Sequence, residues 1–324
     1  MRAVQVPALD GPEALVVVDV PEPVAGPDAV VVDVHAAGVA WPDLLLTRGE
    51  YQLRPAPPFS PGAEVAGLVR TAPEGSGLVP GQRVVVLCGV GGWQETVVAA
   101  PSNVLPLPDG VSLSAAAGVP FNYLTVQFAL RRRGRLQAGE TVLVHGASGG
   151  IGVATLQLAR AYGARTIAVV STEAKAAAAR EAGADEVVLA DGFLARVGEL
   201  TGGRGVDVVL DPVGGDRFTD SLRALAPEGR LLVVGFTGGE IPTVKVNRLL
   251  LHNVSVVGVG WGAFLAVQPG LLQEQWAEVR DLLERGQVRA VEGPTYPLEQ
   301  ARQALLAMDA RTLTGKAVLT VREG

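Results

Sequence analysis

The chain has 324 residues, 48% of them hydrophobic and 19% charged, with 41 glycines and 22 prolines. This length allows two domains, and the composition is typical of a well-cored, turn-rich globular protein rather than a disordered one. A net charge of -6 argues against nucleic acid or an anionic membrane surface as a partner, and the single cysteine, Cys88, excludes an internal disulfide and a cysteine-rich zinc site. No run of about 18 apolar residues could span a membrane. Residues 1–20 lack the uninterrupted apolar segment of a signal peptide, so we expect a cytoplasmic protein.

Residues 1 to about 115 predict an all-β region. Short β-branched runs separated by proline and glycine are typical of the strands of an irregular barrel, here Val4–Val6, Leu15–Val20, Val30–Val34, Arg83–Leu87 and Glu95–Ala99. From Ser112 to Ala129 the pattern becomes helical, with Ser112 or Ser114 as the N-cap.

The segment from Thr141 to Ala164 carries the strongest functional signal. Its sequence is TVLVHGASGGIGVATLQLARAYGA, a β-branched run, then a glycine-rich turn, then apolar residues at helical spacing. Glycines at such a turn let backbone N–H groups approach a pyrophosphate, and the positive end of the following helix favours that anion. The strand–turn–helix context therefore predicts a dinucleotide site.

Strands and helices alternate after this segment. The predicted strands are Thr166–Val170, Glu186–Leu189, Val206–Leu210, Arg230–Val234 and Ser255–Val259, which with Thr141–His145 make a six-stranded, doubly wound parallel sheet. The predicted helices are Thr172–Ala182, Phe218–Leu225 and Leu271–Arg285, and the tail Lys316–Val321 is β and returns to the first domain. We expect an α/β protein with a first domain at 1–115, completed by about 287–324, and a dinucleotide-binding domain at 116–286.

Five segments resemble the medium-chain dehydrogenase/reductase superfamily, in its zinc-independent quinone oxidoreductase branch. They are HAAGVAWPDLLLTRGEY (35–51), PGAEVAG (61–67), GETVLVHGASGGIG (139–152), DPVGG (211–215) and GRLLVVGF (229–236). The resemblance covers nearly the whole chain and implies a GroES-like irregular β-barrel domain plus a Rossmann doubly wound parallel sheet. Short-chain dehydrogenases are excluded, because their fingerprint is N-terminal and no tyrosine here has lysine four residues later.

The resemblance also bears on metal. Zinc-dependent members of the superfamily place a cysteine ligand near position 40 and a histidine ligand beside a glutamate, where this chain has Ala40 and Ala63. Catalytic zinc needs about three protein ligands. We therefore predict no metal, and without a Lewis acid ordinary alcohol oxidation is disfavoured.

The end of the second parallel strand predicts the cofactor. NAD-preferring folds place an acid there for the ribose hydroxyls, whereas this chain has Ser171 and Thr172, with Lys175 in the first helical turn. These groups suit a 2′-phosphate and favour NADPH. Glu173 and Asp191, the latter at the third strand end, count against it.

In the resembling family several segments meet at the nicotinamide and the acceptor. The resemblance assigns catalysis to Tyr51, Asp43 and Thr125 in this chain. Tyr51 binds the acceptor carbonyl, passes a proton or only packs by its ring. Asp43 is either catalytic or a structural cap, and Trp261 either lines the pocket or fills the core. The predicted cofactor-binding residues are Ser148, Gly149, Gly150, Ile151, Gly152, Ser171, Thr172, Lys175, Gly235, Phe236, Asn247, Gly260 and Trp261.

These patterns predict a metal-free, NADPH-dependent reductase that transfers hydride to a quinone or conjugated enone. Two alternatives stay open, an enoyl-thioester reductase, which would use an arginine-rich entrance, and a non-catalytic NADPH-binding protein. Ser255–Val259 is short, apolar and last in the sheet. An unprotected edge of this kind favours pairing with its own copy, so we expect a homodimer.

Overall fold

The computed structural model describes residues 1–322 and contains fifteen strands and eleven α-helices among them. The strands are β1 Arg2–Gln5, β2 Val16–Asp19, β3 Val30–Gly38, β4 Glu64–Thr71, β5 Arg83–Leu87, β6 Thr96–Ala99, β7 Val104–Pro106, β8 Thr141–His145, β9 Arg165–Val170, β10 Glu186–Leu189, β11 Val206–Asp211, β12 Leu225–Val233, β13 Ser255–Gly258, β14 Thr295–Pro297 and β15 Val318–Thr320. The helices are α1 Trp41–Thr47, α2 Leu113–Ala116, α3 Pro120–Gln127, α4 Gly150–Ala161, α5 Glu173–Glu181, α6 Phe193–Leu200, α7 Phe218–Arg223, α8 Asn247–His252, α9 Trp261–Leu265, α10 Leu271–Glu284 and α11 Ala301–Asp309.

The backbone divides into two compact units. The first, called here the β-rich unit, comprises Met1–Phe121, Leu272–Glu284 and the chain from Ala290 on; the second, the parallel-sheet unit, comprises Asn122–Leu271 and Arg285–Arg289. Most of α10 thus groups with the β-rich unit, whereas the sequence analysis assigned it to the dinucleotide-binding domain.

The β-rich unit is built on a sheet with the strand order β14-β15-β3-β4-β5-β7, and β6 also pairs with β3. Neighbouring strands are antiparallel except β14 and β15. Gly67 of β4 is paired with Val34 of β3 beside a register shift in the ladder, and a Cβ at Gly67 would lie 2.0 Å from the carbonyl oxygen of Asp33. Only glycine allows the two strands to approach this closely at the irregularity.

The predicted strands of this unit are confirmed within a few residues at each end, but the all-β prediction was wrong in part. Helix α1 and strand β4 were not predicted. The prediction that Ser112 or Ser114 caps a helix is resolved for Ser112, whose hydroxyl accepts the N–H of Ala115 at 3.1 Å. The helical stretch that follows is broken into α2 and α3, and a π-helical turn, Phe128–Arg133, continues α3.

The six-stranded parallel sheet predicted from the sequence is confirmed. Its strand order is β10-β9-β8-β11-β12-β13, so the chain reverses direction across the sheet between β8 and β11. In a doubly wound sheet this reversal opens a crevice at the carboxyl ends of the strands, which is where ligands bind. Fully buried apolar residues on one face pack beneath helices α6 and α7, among them Leu143, Ile167, Val209 and Leu231.

The two ends of the described chain meet in the β-rich unit. Strand β15 pairs antiparallel with β3, so the tail is β and returns to the first unit as the sequence analysis predicted. The Arg2 guanidinium donates to the carbonyl of Val321 at 3.3 Å and forms an ion pair with Glu95 at 2.8 Å. Arg322 is paired with Asp33 at 2.9 Å. No helix in residues 1–322 is both long enough and apolar enough to cross a bilayer.

Candidate dinucleotide site

The glycine-rich turn joins β8 to α4 in the parallel-sheet unit. The N–H of Gly149 donates to the carbonyl of Gly146 at 2.9 Å, and α4 begins at the next residue. A Cβ at Gly152 would lie 2.4 Å from both the Cα of Ala147 and the carbonyl oxygen of Gly146, so the first helical turn packs directly on the backbone of the loop. The first N–H groups of a helix have no intrahelical partner. The start of α4 therefore offers backbone donors to an anion, and it is here that the sequence analysis expects Ser148–Gly152 to bind the cofactor.

Asn122 lies against this turn and was absent from the predicted site residues. A Cβ at Gly150 would lie 2.2 Å from the Asn122 amide nitrogen, so only glycine at 150 admits the amide. Asn122 and Thr125 are one turn apart on α3, and both are buried. The sequence analysis selected Thr125 from this helix and not Asn122, because the approach of Asn122 to Gly150 is a tertiary contact that no local pattern shows.

The end of β9 carries the groups predicted to bind a 2′-phosphate. Ser171, Thr172 and Glu173 are exposed, and Thr172 is the N-cap residue of α5. The backbone N–H of Lys175 donates to the carbonyl of Thr172 at 3.1 Å, which places a half-buried lysine in the first turn of the helix. A cation, two hydroxyls and one carboxylate thus share the end of this strand.

A buried carboxylate fixes the turn that follows β11 at the carboxyl edge of the sheet. One oxygen of Asp211, the last residue of β11, accepts the N–H groups of Val213 and Gly214 at 2.8 and 2.9 Å. A Cβ at Gly214 would lie 2.9 Å from the ring of Phe236, so the turn after β11 packs on the segment after β12. Gly235 and Phe236 therefore stand at the carboxyl edge of the sheet, as a cofactor site requires.

The remaining predicted cofactor residues differ in exposure. Asn247 is the first residue of α8 and is exposed, and Gly260 is the exposed N-cap residue of α9. Trp261 is only 3% exposed. Nearly all of its surface is therefore packed against other residues, as expected for a core tryptophan, and its contact with the cofactor stays a prediction.

His145 ends β8 immediately before the glycine turn, and it is 1% exposed. Its Nε2 lies 2.8 Å from the hydroxyl of Ser221, and Nδ1 has no hydrogen-bond partner among the described residues. The ring meets Phe193 edge-on, with the two centroids 5.0 Å apart. Burial lowers the pKa of His145 to about 4, so the imidazole is neutral at neutral pH.

Tyr51 and Asp43 belong to the β-rich unit. Asp43 is fully buried in the first turn of α1, where one carboxylate oxygen accepts the N–H of Ala40 at 2.8 Å and the other accepts that of Gly62 at 2.9 Å. Burial raises the pKa of Asp43 to about 6 in spite of these two bonds. Tyr51 is half-buried. Its pKa is raised mainly by this burial and to a smaller extent by the charge of Asp43. The geometry of Asp43 is that of a cap, one of the two roles the sequence left open.

A buried ion pair lies close to this carboxylate in the same unit. Lys316 Nζ is 2.5 Å from Glu64 Oε1, and the two side chains are 8% and 0% exposed. The other oxygen of Glu64 accepts the N–H of Phe121 at 2.7 Å. The two residues are far apart in sequence, so the sequence analysis did not find this pair.

The positions compared with zinc ligands carry side chains that cannot coordinate a metal. Ala40 and Ala63 are buried, and each ends at Cβ. Among residues 1–322 no group of three or more His, Cys, Asp or Glu side chains is arranged to hold a metal ion.

Comparison with known proteins gives matches over both units. Residues 26–109 match the family described as "Alcohol dehydrogenase GroES-like domain", and residues 150–285 match "Zinc-binding dehydrogenase". The chain is 38% identical over 306 residues to the Bos taurus protein named quinone oxidoreductase-like protein 2, covering 93% of this chain and 87% of the relative.

Solved structures match over almost the full length. A probable oxidoreductase from Mycobacterium abscessus is 48% identical, with a TM-score of 0.89 and 99% of each chain covered. The quinone oxidoreductase from Thermus thermophilus, described together with its complex with NADPH, is 36% identical, with a TM-score of 0.87 and coverage of 99% of this chain and 100% of that one. The expected pairing of a GroES-like domain with a Rossmann-like parallel sheet is confirmed.

Proposed function

Because the chain belongs to the medium-chain dehydrogenase/reductase superfamily, in its zinc-independent quinone oxidoreductase branch, we propose that it is an NADPH-dependent reductase of quinones or conjugated enones. The observation that carries the proposal is the glycine turn before α4. Its backbone donors lie at a helix start, and Gly150 and Gly152 stand where a Cβ would collide with neighbouring atoms. This is the arrangement that a dinucleotide pyrophosphate needs.

The residues present fit the cofactor along the carboxyl edge of the sheet. In the proposal Ser148, Gly149, Gly150, Ile151 and Gly152 hold the pyrophosphate, Ser171, Thr172 and Lys175 hold the 2′-phosphate, and Gly235, Phe236, Asn247, Gly260 and Trp261 adjoin the nicotinamide half. Bound NADPH would supply two electrons as hydride. The protein contributes orientation, exclusion of water and a proton donor.

Tyr51 is the proposed donor toward the acceptor oxygen. Because its pKa is raised, its hydroxyl stays protonated at neutral pH and is able to donate a hydrogen bond to a carbonyl. Asp43, whose two oxygens are taken by the backbone, is proposed to hold the start of α1 and to keep Tyr51 protonated. Thr125, buried one turn after Asn122, is proposed to line the site from α3.

The acceptor is proposed to be a small electrophile rather than a thioester on a phosphorylated carrier. An arginine-rich entrance, for which the sequence offers Arg48, Arg54 and Arg131–Arg133, would favour the thioester, but these arginines already have partners. Arg54 donates to the carbonyl of Tyr51 at 3.4 Å. Arg48 is paired with Asp309 at 2.6 Å, Arg131 and Arg132 stack on the rings of Tyr162 and Phe264, and Arg133 donates to the carbonyl of Gly258 at 2.9 Å.

The test is oxidation of NADPH followed by absorbance with three acceptors: 1,4-benzoquinone, 9,10-phenanthrenequinone and a crotonyl thioester. We expect steady turnover with the quinones and little with the thioester. Tyr51→Phe should lower kcat while leaving NADPH affinity unchanged. Turnover only with the thioester would favour the enoyl-thioester alternative, and binding of NADPH without turnover of any acceptor would favour the non-catalytic one.

We further propose a cytoplasmic homodimer joined through β13. This strand lies at the edge of the parallel sheet, and helix α8 before it exposes Leu250 and Leu251 at 76% and 71% of their surface. Pairing β13 with a second copy would satisfy edge backbone groups and cover part of this apolar surface.

The sequence-derived division at 1–115, about 287–324 and 116–286 likewise remains our proposal for the two domains.

A further inference from the structure

The start of helix α3 is held by a carboxylate from a distant part of the chain. The first residue of this helix, Pro120, has no N–H, so the first donor of the helix is the N–H of Phe121. That donor is bonded to Glu64 Oε2 at 2.7 Å, from a residue 57 positions earlier in the chain. A carboxylate at this place satisfies an orphan donor and is favoured by the positive end of the helix.

The glutamate is itself fixed by a buried cation. Lys316 Nζ lies 2.5 Å from the other oxygen of Glu64 and 6.0 Å from the ring centroid of Phe121. Glycines leave the room that this pair occupies: a Cβ at Gly38 would lie 2.8 Å from the Glu64 side chain, and one at Gly118 would lie 2.8 Å from that of Lys316. A buried pair usually stabilises a fold little more than apolar residues of the same volume would.

The helix held in this way carries residues of the proposed NADPH site. Asn122 directly follows Phe121, and its amide lies against Gly150 at the start of α4. Thr125 follows in the next turn. A shift at the start of α3 would therefore move an amide that touches the glycine turn.

We propose that Glu64 and Lys316 are positioning residues for the cofactor site. Glu64 holds the first donor of α3 and thereby sets Asn122 against the glycine turn, and Lys316, 2.5 Å from the other oxygen, fixes the orientation of the carboxylate. The inference rests on the proposed function, because it requires NADPH to bind at that turn.

Two double variants of nearly equal volume isolate the hydrogen bond. Glu64→Gln with Lys316→Met removes both charges but keeps an oxygen acceptor for Phe121, whereas Glu64→Met with Lys316→Met removes the acceptor as well. Dissociation constants for NADPH and NADH are measured by titration of protein fluorescence, and amide hydrogen exchange of α3 is measured without cofactor.

We expect the Gln/Met variant to bind NADPH within about twofold of the parent and the Met/Met variant to bind about tenfold more weakly, since the N–H of Phe121 then loses the side-chain oxygen that accepts it in the parent. The loss should be equal for NADPH and NADH, because the end of β9 is untouched, and α3 should exchange faster in the Met/Met variant. General destabilisation would lower the active fraction without changing either dissociation constant.

Equal dissociation constants in the two variants, in a parent that binds NADPH, would overturn the positioning role alone, whether or not exchange of α3 differs. A parent chain that binds neither cofactor would instead refute the proposed function, and this inference with it. The two failures are thus distinguished by the parent measurement.

Discussion

His145 donates its Nε2 proton to the hydroxyl of Ser221 across 2.8 Å. The direction follows from the next bond, because the Ser221 hydroxyl gives its own proton to the carbonyl of Arg217 at 2.9 Å. The imidazole is therefore the neutral Nε2–H tautomer, and its buried Nδ1 carries an unshared electron pair. Protonation of Nδ1 would place a charge in the core beside the glycine turn.

This arrangement predicts a loss of stability in acid. The pKa of His145 is about 4 in the folded chain and about 6.5 when unfolded, so between about pH 6.5 and pH 4 the unfolded state binds a proton that the folded state does not. Its contribution to the free energy of unfolding should fall by about 2 kcal/mol from pH 7 to pH 5. Asp43 acts in the opposite sense, because its folded pKa is raised and its contribution falls as pH rises toward 6.

Comparison with His145→Leu separates the two groups. The free energy of unfolding is measured in urea at pH 7 and at pH 5. Between these two pH values it should fall by about 2 kcal/mol less in the variant than in the parent, because Asp43 contributes equally to both. The same pH dependence in parent and variant would show that His145 is not the group responsible.

Cofactor preference should depend on Lys175. We expect NADPH to bind better than NADH, and Lys175→Ala to reduce the NADPH affinity about 10- to 100-fold with NADH affinity nearly unchanged, since a charge-assisted bond to a 2′-phosphate is lost. Calorimetric titration of both cofactors measures this. Arg180→Ala removes an exposed cation from the last turn of the same helix and is the matched control. Equal affinities of the parent for NADPH and NADH would contradict the assignment.

Activity should be independent of metal. Ala40 and Ala63 offer no ligand atom at the two positions compared with zinc ligands. Exhaustive dialysis against EDTA should leave the rate of NADPH oxidation unchanged, and elemental analysis should find substoichiometric zinc. Inactivation by EDTA that zinc alone reverses would be the opposite result.

The oligomeric state should depend on the edge strand. Val257→Pro removes a backbone donor from β13 and should give monomer or aggregate. Leu251→Glu changes an exposed side chain of α8 and should weaken the dimer without disturbing the sheet. Light scattering at micromolar concentration measures both, with Val79→Glu as the control at an exposed site in the β-rich unit. A monomeric parent chain would rule out edge pairing.

The parallel sheet was predictable because its signals are local. Strand β10 was predicted with the observed bounds, and the edge position of β13 followed from its place in the chain. Helix α1 was missed because it has only seven residues and begins after Ala40, which offers no side-chain acceptor. The start of the helix is capped by Asp43, whose carboxylate accepts the N–H of Ala40. A structural cap was one of the two roles that the sequence analysis left open for Asp43.

The Glu64–Lys316 pair at the start of α3 could not be predicted from local sequence patterns. Glu64 is the first residue of β4 and Lys316 lies two residues before β15, and these two strands pair with the same strand, β3. The mutual approach of Asn122 and Gly150 likewise depends on tertiary packing. Glycine patterns indicated a turn, but only the structure identifies the side chain that each glycine admits.

The meeting of the chain ends has a consequence for the order of the sequence itself. Arg2 contacts Val321, and both flanking segments are pinned to the same unit by Glu95 and by β3. A short peptide from residue 322 to residue 1 would close the backbone of the described chain into a ring, and the exposed turn at Gly75, where a Cβ would meet nothing within 4 Å, offers a place to reopen it. Such a circular permutant would carry the three separate stretches of the β-rich unit in a new order while the strand pairings of the unit stay the same.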